Sequence, residues 1–130
     1  MKQIITDLKR KKLAEATHTT GQMPKVKYIA VGSGGVDQNG EVISPSKEST
    51  SLKHELLRKE YTASRKVSDS CYEYSLLIEA NELVGEYISE IALVDEENDI
   101  CRNSYIYGKR EGYYGGYIFY SGFILDRRIQ

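Results

Sequence analysis

The stretch that most constrains the fold is "EYISEIALVDEENDICRNSYIYG", residues 86–108. Ile91 and Leu93 alternate with Ala92 and Val94, and a period of two is the signature of a strand. The run then meets "DEEND", a turn too acidic to be buried without partners. A second run of apolar and polar residues follows it. The pattern predicts a β-hairpin of Ile88–Val94 and Ile100–Tyr107. Such a hairpin belongs to a mainly antiparallel sheet.

Further strands follow from the same reasoning. "KVKYIAVG" places Val26, Tyr28 and Ala30 opposite Lys27, Ile29 and Val31, so one face is fully buried and the other partly so. "CYEYSLLIEA" puts Tyr72, Tyr74, Leu76 and Ile78 on one side, and "GYIFYSGFILD" is again strand-like. "TDLKRKKLAEAT" predicts an N-terminal helix capped by Thr6 or Asp7 and ended by Gly21 and Pro24. In "SLKHELLR", Leu52, Leu56 and Leu57 fall at helical spacing behind Ser51 or Thr50, which predicts a short second helix. The chain then extends through "RKEYTASRKVSD". The expected class is α+β: an N-terminal helix, a short second helix and a mainly antiparallel β-sheet, in one domain over residues 1–130.

Composition excludes several functions. A net charge of -1 gives no general attraction to nucleic acid or to an anionic membrane. No apolar run approaches the roughly 20 residues of a membrane span. Cys71 and Cys101 form no paired motif and are expected to act as small hydrophobes. His18 and His54 belong to no metal-ligand spacing, and no serine stands in a nucleophile elbow. Glu73 and Glu79 share strand parity but lie about 20 Å apart along one strand, too far to act jointly, and are expected to face solvent. No catalytic, cofactor or metal residue is expected.

"VGSGGVDQNG" holds four of the chain's eleven glycines. A phosphate loop needs a Lys-Ser/Thr pair at its end, and here Gly40 precedes Glu41 and Val42. The dinucleotide fingerprint fails at Asp37, where it needs glycine. Asn39-Gly40 is a turn dipeptide in its own right. The glycines are therefore expected to serve backbone geometry at the end of a strand.

Two features invite contact with a partner. Charge is uneven: residues 1–27 carry seven Lys/Arg against two Asp/Glu, and residues 82–99 carry seven Asp/Glu with no Lys or Arg. Such asymmetry can drive head-to-tail contact, although two solvated faces account for it more simply. Tyrosine is concentrated too, with six of eleven between Tyr105 and Tyr120. Tyr113, Tyr114 and Tyr117 sit among glycines, a composition that suits contact surfaces. With Tyr120 they could also stack on a sugar, which makes a carbohydrate-binding module the alternative function.

The order of three stretches resembles the N-terminal region of phage tail-collar fibre proteins. These are "DLKRKKLAEATHTTGQMPKVKYIAVGSGG", then "SPSKESTSLKHELLRKE" with Leu52, Glu55 and Arg58 in the family's pattern, then "EYISEIALVDEENDI". Together they cover residues 5–108. Ala92 stands where the family usually has glycine, and Asn98-Asp99 where it usually has a turn such as Asp-Gly. The resemblance implies a non-enzymatic attachment module that docks a fibre to the baseplate of a contractile tail. It implies other tail or baseplate proteins as partners, and a homo-oligomer, with a trimer among the options. It implies synthesis in the bacterial cytoplasm and residence in the virion tail. A shaft and receptor-binding tip have no room in this sequence, so the expectation is attachment alone. The expected contact residues are Gly32, Gly34 and Gly35 of the glycine loop, Asp95, Glu96 and Glu97 of the acidic turn, and Tyr113, Tyr114 and Tyr117.

Overall fold

The computed structural model describes residues 2–69, 71–79, 82–83, 86–110 and 117–121, with the side chains of 2, 3, 20, 71, 103–110 and 117–121 outside that description. The chain runs β1 (Lys2–Ile5), α1 (Asp7–Glu15), β2 (Val26–Gly32), β3 (Glu55–Glu60), β4 (Ala63–Ser68), β5 (Cys71–Leu77), β6 (Tyr87–Asp95), β7 (Ile100–Arg110) and β8 (Tyr117–Ser121). Five strands form one antiparallel sheet in the order β1-β7-β6-β2-β3. Three form a second, β4-β5-β8.

The hairpin forms as its alternation predicts. β6 and β7 pair antiparallel, and the Asp95 amide closes the turn on the Asp99 carbonyl. Asn98 takes the left-handed conformation that reverses the chain, at φ 66°. β2 pairs with the other edge of β6, Ile29 opposite Leu93, Ala30 opposite Ala92 and Val31 opposite Ile91. That register sorts side chains to two faces. Ile29, Val31, Ile91 and Leu93 join Ile88, Cys101, Leu76 and Ile78 in the main core, so β5 of the second sheet packs on the first. Ala30, Ala92, Val94, Ile100 and Leu52 form a smaller cluster on the opposite face. Central strands buried on both faces read as continuous apolar runs, which is why "IALV" and "YIAV" look so alike.

Between Ile88 and Glu90 the register with β7 shifts. The shift re-aims the strand: Ile88 joins the main core, while Glu90, of the same parity, meets the segment around His54.

The segment predicted as a second helix is a strand. β3 pairs with β2 from Tyr28 opposite Glu60 to Gly32 opposite Glu55. Leu52, Leu56 and Leu57 do not share one helical stripe. Leu52 is buried in the smaller cluster, while Leu57 packs against the main core. Two leucines and a short run of helix formers cannot outweigh an open strand edge that offers a full hydrogen-bond ladder. Nor does "RKEYTASRKVSD" continue as one strand. The Tyr61 amide bonds to Lys27 of β2, and the next amide, Thr62, bonds to Ser75 of β5. The chain changes sheets between those two residues.

α1 is capped by Thr6, whose hydroxyl accepts the Lys9 amide at 3.3 Å. It ends in a wider π-helical turn, Ala16–Thr20, closed by Gly21 at φ 66°. None of its residues is buried, and Leu13 is 54% exposed. Its ends hold it. Thr6 is fully buried and donates to the Ile100 carbonyl, while its amide bonds to Cys101. β1, which the sequence pattern did not predict, pairs with β7 just before it.

Candidate functional site

The glycine loop is organised by one carboxylate. Glu90 is fully buried. Its Oε2 accepts the amides of Gly34 (2.8 Å) and His54 (2.7 Å), and its Oε1 accepts that of Lys53 (2.9 Å). The neighbouring Ser89 hydroxyl accepts the Gly35 amide at 2.9 Å. A buried acceptor that draws in three amides requires the backbone to come close, and glycine permits that. A Cβ built on Gly32 would lie 2.2 Å from the His54 carbonyl oxygen, and one on Gly34 would lie 2.5 Å from Lys53 Cβ. Gly32 and Gly35 are buried and Gly34 is half-buried.

This geometry answers the phosphate question from the donor side. The Gly34 and Gly35 amides, which a phosphate would need, already serve Glu90 and Ser89. The Ser33 amide is held by the His54 carbonyl. Ser33 Oγ and His54 Nδ1 are 2.6 Å apart, a serine–histidine contact that the sequence spacing did not reveal. An acyl-transfer site also needs amides free to hold an oxyanion, and those on either side of this pair are engaged. The pair clasps β2 to the approach of β3. Beyond it the loop turns outward. Asp37 Oδ1 accepts the amides of Asn39 and Glu41, Gly40 sits at φ 80°, and residues 37–41 are exposed.

The acidic turn is organised by one lysine. Lys12 Nζ lies 2.7 Å from Asp95, 2.8 Å from Glu97 and 2.8 Å from Asp99. Burial pulls the Lys12 ammonium down, but the hydrogen bonds it donates to Asp95, Asp99 and Glu97 outweigh it and hold it well above the usual lysine range. Asp95 is buried, and its Oδ1 accepts the amides of Glu97 and Asp99. The three carboxylates lie close enough to share a cation. That cation is the ammonium of α1. Glu96 points elsewhere: its amide bonds to the Lys25 carbonyl and its Oε1 accepts the Lys25 amide.

Part of the sequence's charge asymmetry is therefore met inside the molecule. Of the seven acids between 82 and 99, Glu90 and Asp95 are buried, Glu97 and Asp99 meet Lys12, and Glu82 meets Lys59 at 2.7 Å. The hydrogen bond from Lys59, with the Glu79 amide, holds the Glu82 carboxyl below the usual range. Glu73 corrects another expectation. It is 5% exposed rather than solvent-facing, and Arg65 Nε donates to it at 2.9 Å. Burial pushes the Cys101 thiol up to about 11.

Tyr113 and Tyr114 lie outside the described residues, and Tyr117 opens β8, where it pairs with Leu77. The predicted contact residues do not converge on one spot. The glycines stand at the β2–β3 end of the large sheet, the acidic turn at the α1 end of the β6–β7 hairpin, and Tyr117 on the second sheet. Glu90 and Lys12 were the residues missed. Glu90 had a signal: it is an acid at the parity of Ala92 and Val94 in an apolar strand. Lys12 had none in its own segment.

Residues 1–105 match a family model described as phage tail-collar fibre protein, N-terminal. The chain belongs to that family. No curated protein and no solved structure matches it. Membership gives this tail-fibre chain a structural role in a phage tail fibre, a place in the virion tail and association with other phage tail proteins. The match spans every strand of the five-stranded sheet and stops within β7, before β8 of the second sheet. Among the described residues, no helix is long and apolar enough to cross a membrane.

Proposed function

We propose that this chain is the attachment module of a tail fibre, docking onto the baseplate as a homo-oligomer and catalysing no reaction. The observation that carries the reading is how the reactive groups are used. The Glu90 carboxylate serves three backbone amides, the Lys12 ammonium three carboxylates, and Ser33 and His54 each other. Each such group, embedded in a web of mutual contacts, stiffens the fold and has no capacity left to bind and turn over a substrate. Family membership supplies the setting.

Within that reading, the contact residues divide by accessibility. Glu96 and Glu97 are exposed at the acidic turn, with Asp95 beneath them as the anchor of its shape. Gly32, Gly34 and Gly35 contribute by shaping the loop whose exposed tip is residues 37–41. Tyr113, Tyr114 and Tyr117 belong to the tyrosine-rich stretch around β8. The test is co-expression with the neighbouring tail proteins, followed by light scattering and affinity purification. The module is expected to elute as an oligomer and to retain a baseplate protein. A strict monomer that retains none of them would refute the reading.

A further inference from the structure

One apolar groove on the surface is absorbed by none of these sites. It has a volume of about 620 Å³ and lies between α1, the segment leading into β2, and the face of β5 that carries Tyr72 and Tyr74. Leu13, Met23, Pro24 and the rings of Tyr61, Tyr72 and Tyr74 form its walls. That volume falls in the range of sites that accept a small ligand or a few side chains. Leu13 at 54% and Tyr72 at 42% exposure are large hydrophobic groups left in water. Tyr61 and Tyr74 meet edge to face at 5.1 Å, which fixes the floor of the groove.

Charge narrows the occupant. The polar lining is Lys9, Lys25 and Ser64, with no carboxylate and no amide side chain. Sugars are held by carboxylates and amides that pair with adjacent hydroxyls, so tyrosines alone here offer stacking without that recognition. The internal pairing of the acidic turn sharpens the point. Lys12 is engaged by Asp95, Glu97 and Asp99, while Lys25, which lines the groove with Lys9, remains exposed. An apolar trough with a cationic rim is complementary to a peptide that carries apolar anchors between acidic residues. A second copy of this chain is a poorer fit, because Val94 and Ile100, the apolar residues that flank its acidic turn, are fully buried and cannot serve as anchors.

We propose that this groove docks an acidic segment of a neighbouring tail protein, one with aliphatic or aromatic anchors. The proposal rests on the reading of the chain as a tail module and names which surface engages the partner and by what chemistry. The first test pans a random-peptide display library on the full chain and titrates selected peptides by fluorescence polarisation. Selected peptides are expected to be net negative with at least one Leu, Ile, Phe or Trp, and to bind more weakly as salt rises. Leu13→Ser, Tyr72→Ser and Lys25→Glu are each expected to weaken binding by about tenfold or more. These are surface changes, and an unchanged urea midpoint verifies that each variant folds. Neutral or basic peptides, no selection at all, or binding within about twofold of wild type in all three variants would overturn the proposal.

The second test places a photo-crosslinker at Leu13 in purified tails. A cross-link to an acidic segment of another tail protein supports the proposal. A cross-link to a second copy, or to this chain's own residues, overturns it, as does normal entry of Leu13→Ser and Lys25→Glu chains into tails. If the wild-type chain is itself absent from purified tails, the module reading fails first, and the two failures are thereby distinguished.

Discussion

Replacing Glu90 with glutamine tests whether one carboxylate organises the glycine loop. The side chain keeps its shape but loses one acceptor and gains two donors. With the amide oxygen at the Oε2 position, the Gly34 and His54 contacts survive as neutral hydrogen bonds, roughly half as strong as charge-assisted ones. The NH2 group then faces the Lys53 amide, donor against donor, at the 2.9 Å where a bond had been. A lost hydrogen bond to a charged group costs about 1.5–3 kcal/mol, and a stranded buried amide adds to it. Relief from burying a carboxylate offsets part of this, leaving a net cost of about 2–4 kcal/mol. With a urea slope of about 1–3 kcal/mol/M, the midpoint should fall by about 1 M or more. Hydrogen exchange supplies the local readout: Gly34, Lys53 and His54 amides should lose protection before the β6–β7 ladder does. Glu97→Gln, at an exposed position of the acidic turn, serves as control and should move the midpoint little. A Glu90→Gln chain with the wild-type midpoint and undisturbed protection at those three amides would refute the reasoning.

Lys12→Met leaves the buried Asp95 carboxylate beside two others, and should destabilise by about 2–3 kcal/mol in urea titration after allowance for the exposure of Glu97 and Asp99. Because Lys12 titrates higher folded than unfolded, that difference should hold from neutral pH to about 10 and shrink only above the ordinary lysine value of about 10.4. Cys101, with its thiol pushed up to about 11 by burial, should react with a disulfide reagent at mildly alkaline pH far more slowly than the same thiol in denaturant. The measurement is made in a Cys71→Ser background. The same shift means that the contribution of Cys101 to stability is present below the free-thiol value of about 8.5 and falls as pH rises through about 11. Asn98→Gly should be neutral or mildly stabilising in thermal melts, whereas Asn98→Val should cost about 1–2 kcal/mol at φ 66°.

What the sequence disclosed is what depends on neighbours in the chain. The β6–β7 hairpin, the cap at Thr6 and the turn at Gly40 each rest on residues within one turn or one strand pair. β3 was misread because the leucines at 52, 56 and 57 imitate a helical stripe. Their true destinations are two different faces of a sheet, chosen by pairing with β2 and by Glu90, which lies 36 residues from His54. The acidic turn was legible as a turn but not as one tethered to α1. Its counter-ion is Lys12, 83 residues away from Asp95, and a count of local charge cannot see that distance. The same limit explains Glu73, whose burial follows from Arg65 across the β4–β5 pair. The glycines were read correctly as geometric, but the object they make room for could not be read from their own segment.

The pairing of β1 with β7 has a consequence for the order of assembly. Lys2 lies opposite Tyr105 and Ile5 opposite Arg102, and Thr6 bonds to Ile100 and Cys101. β1 and α1 thus leave the ribosome before their partners in β7, which are made about a hundred residues later. Until then β1 and α1 have no partner to pack on, and even in the finished fold no residue of α1 is fully buried. Docking of this segment is a late, clasp-like step that joins the first strand to the last few residues of the 1–105 family match. A growing chain that stalls before β7 therefore carries a basic, unclasped helix and an unpaired strand, which leaves residues 2–20 open to proteases until β7 is made.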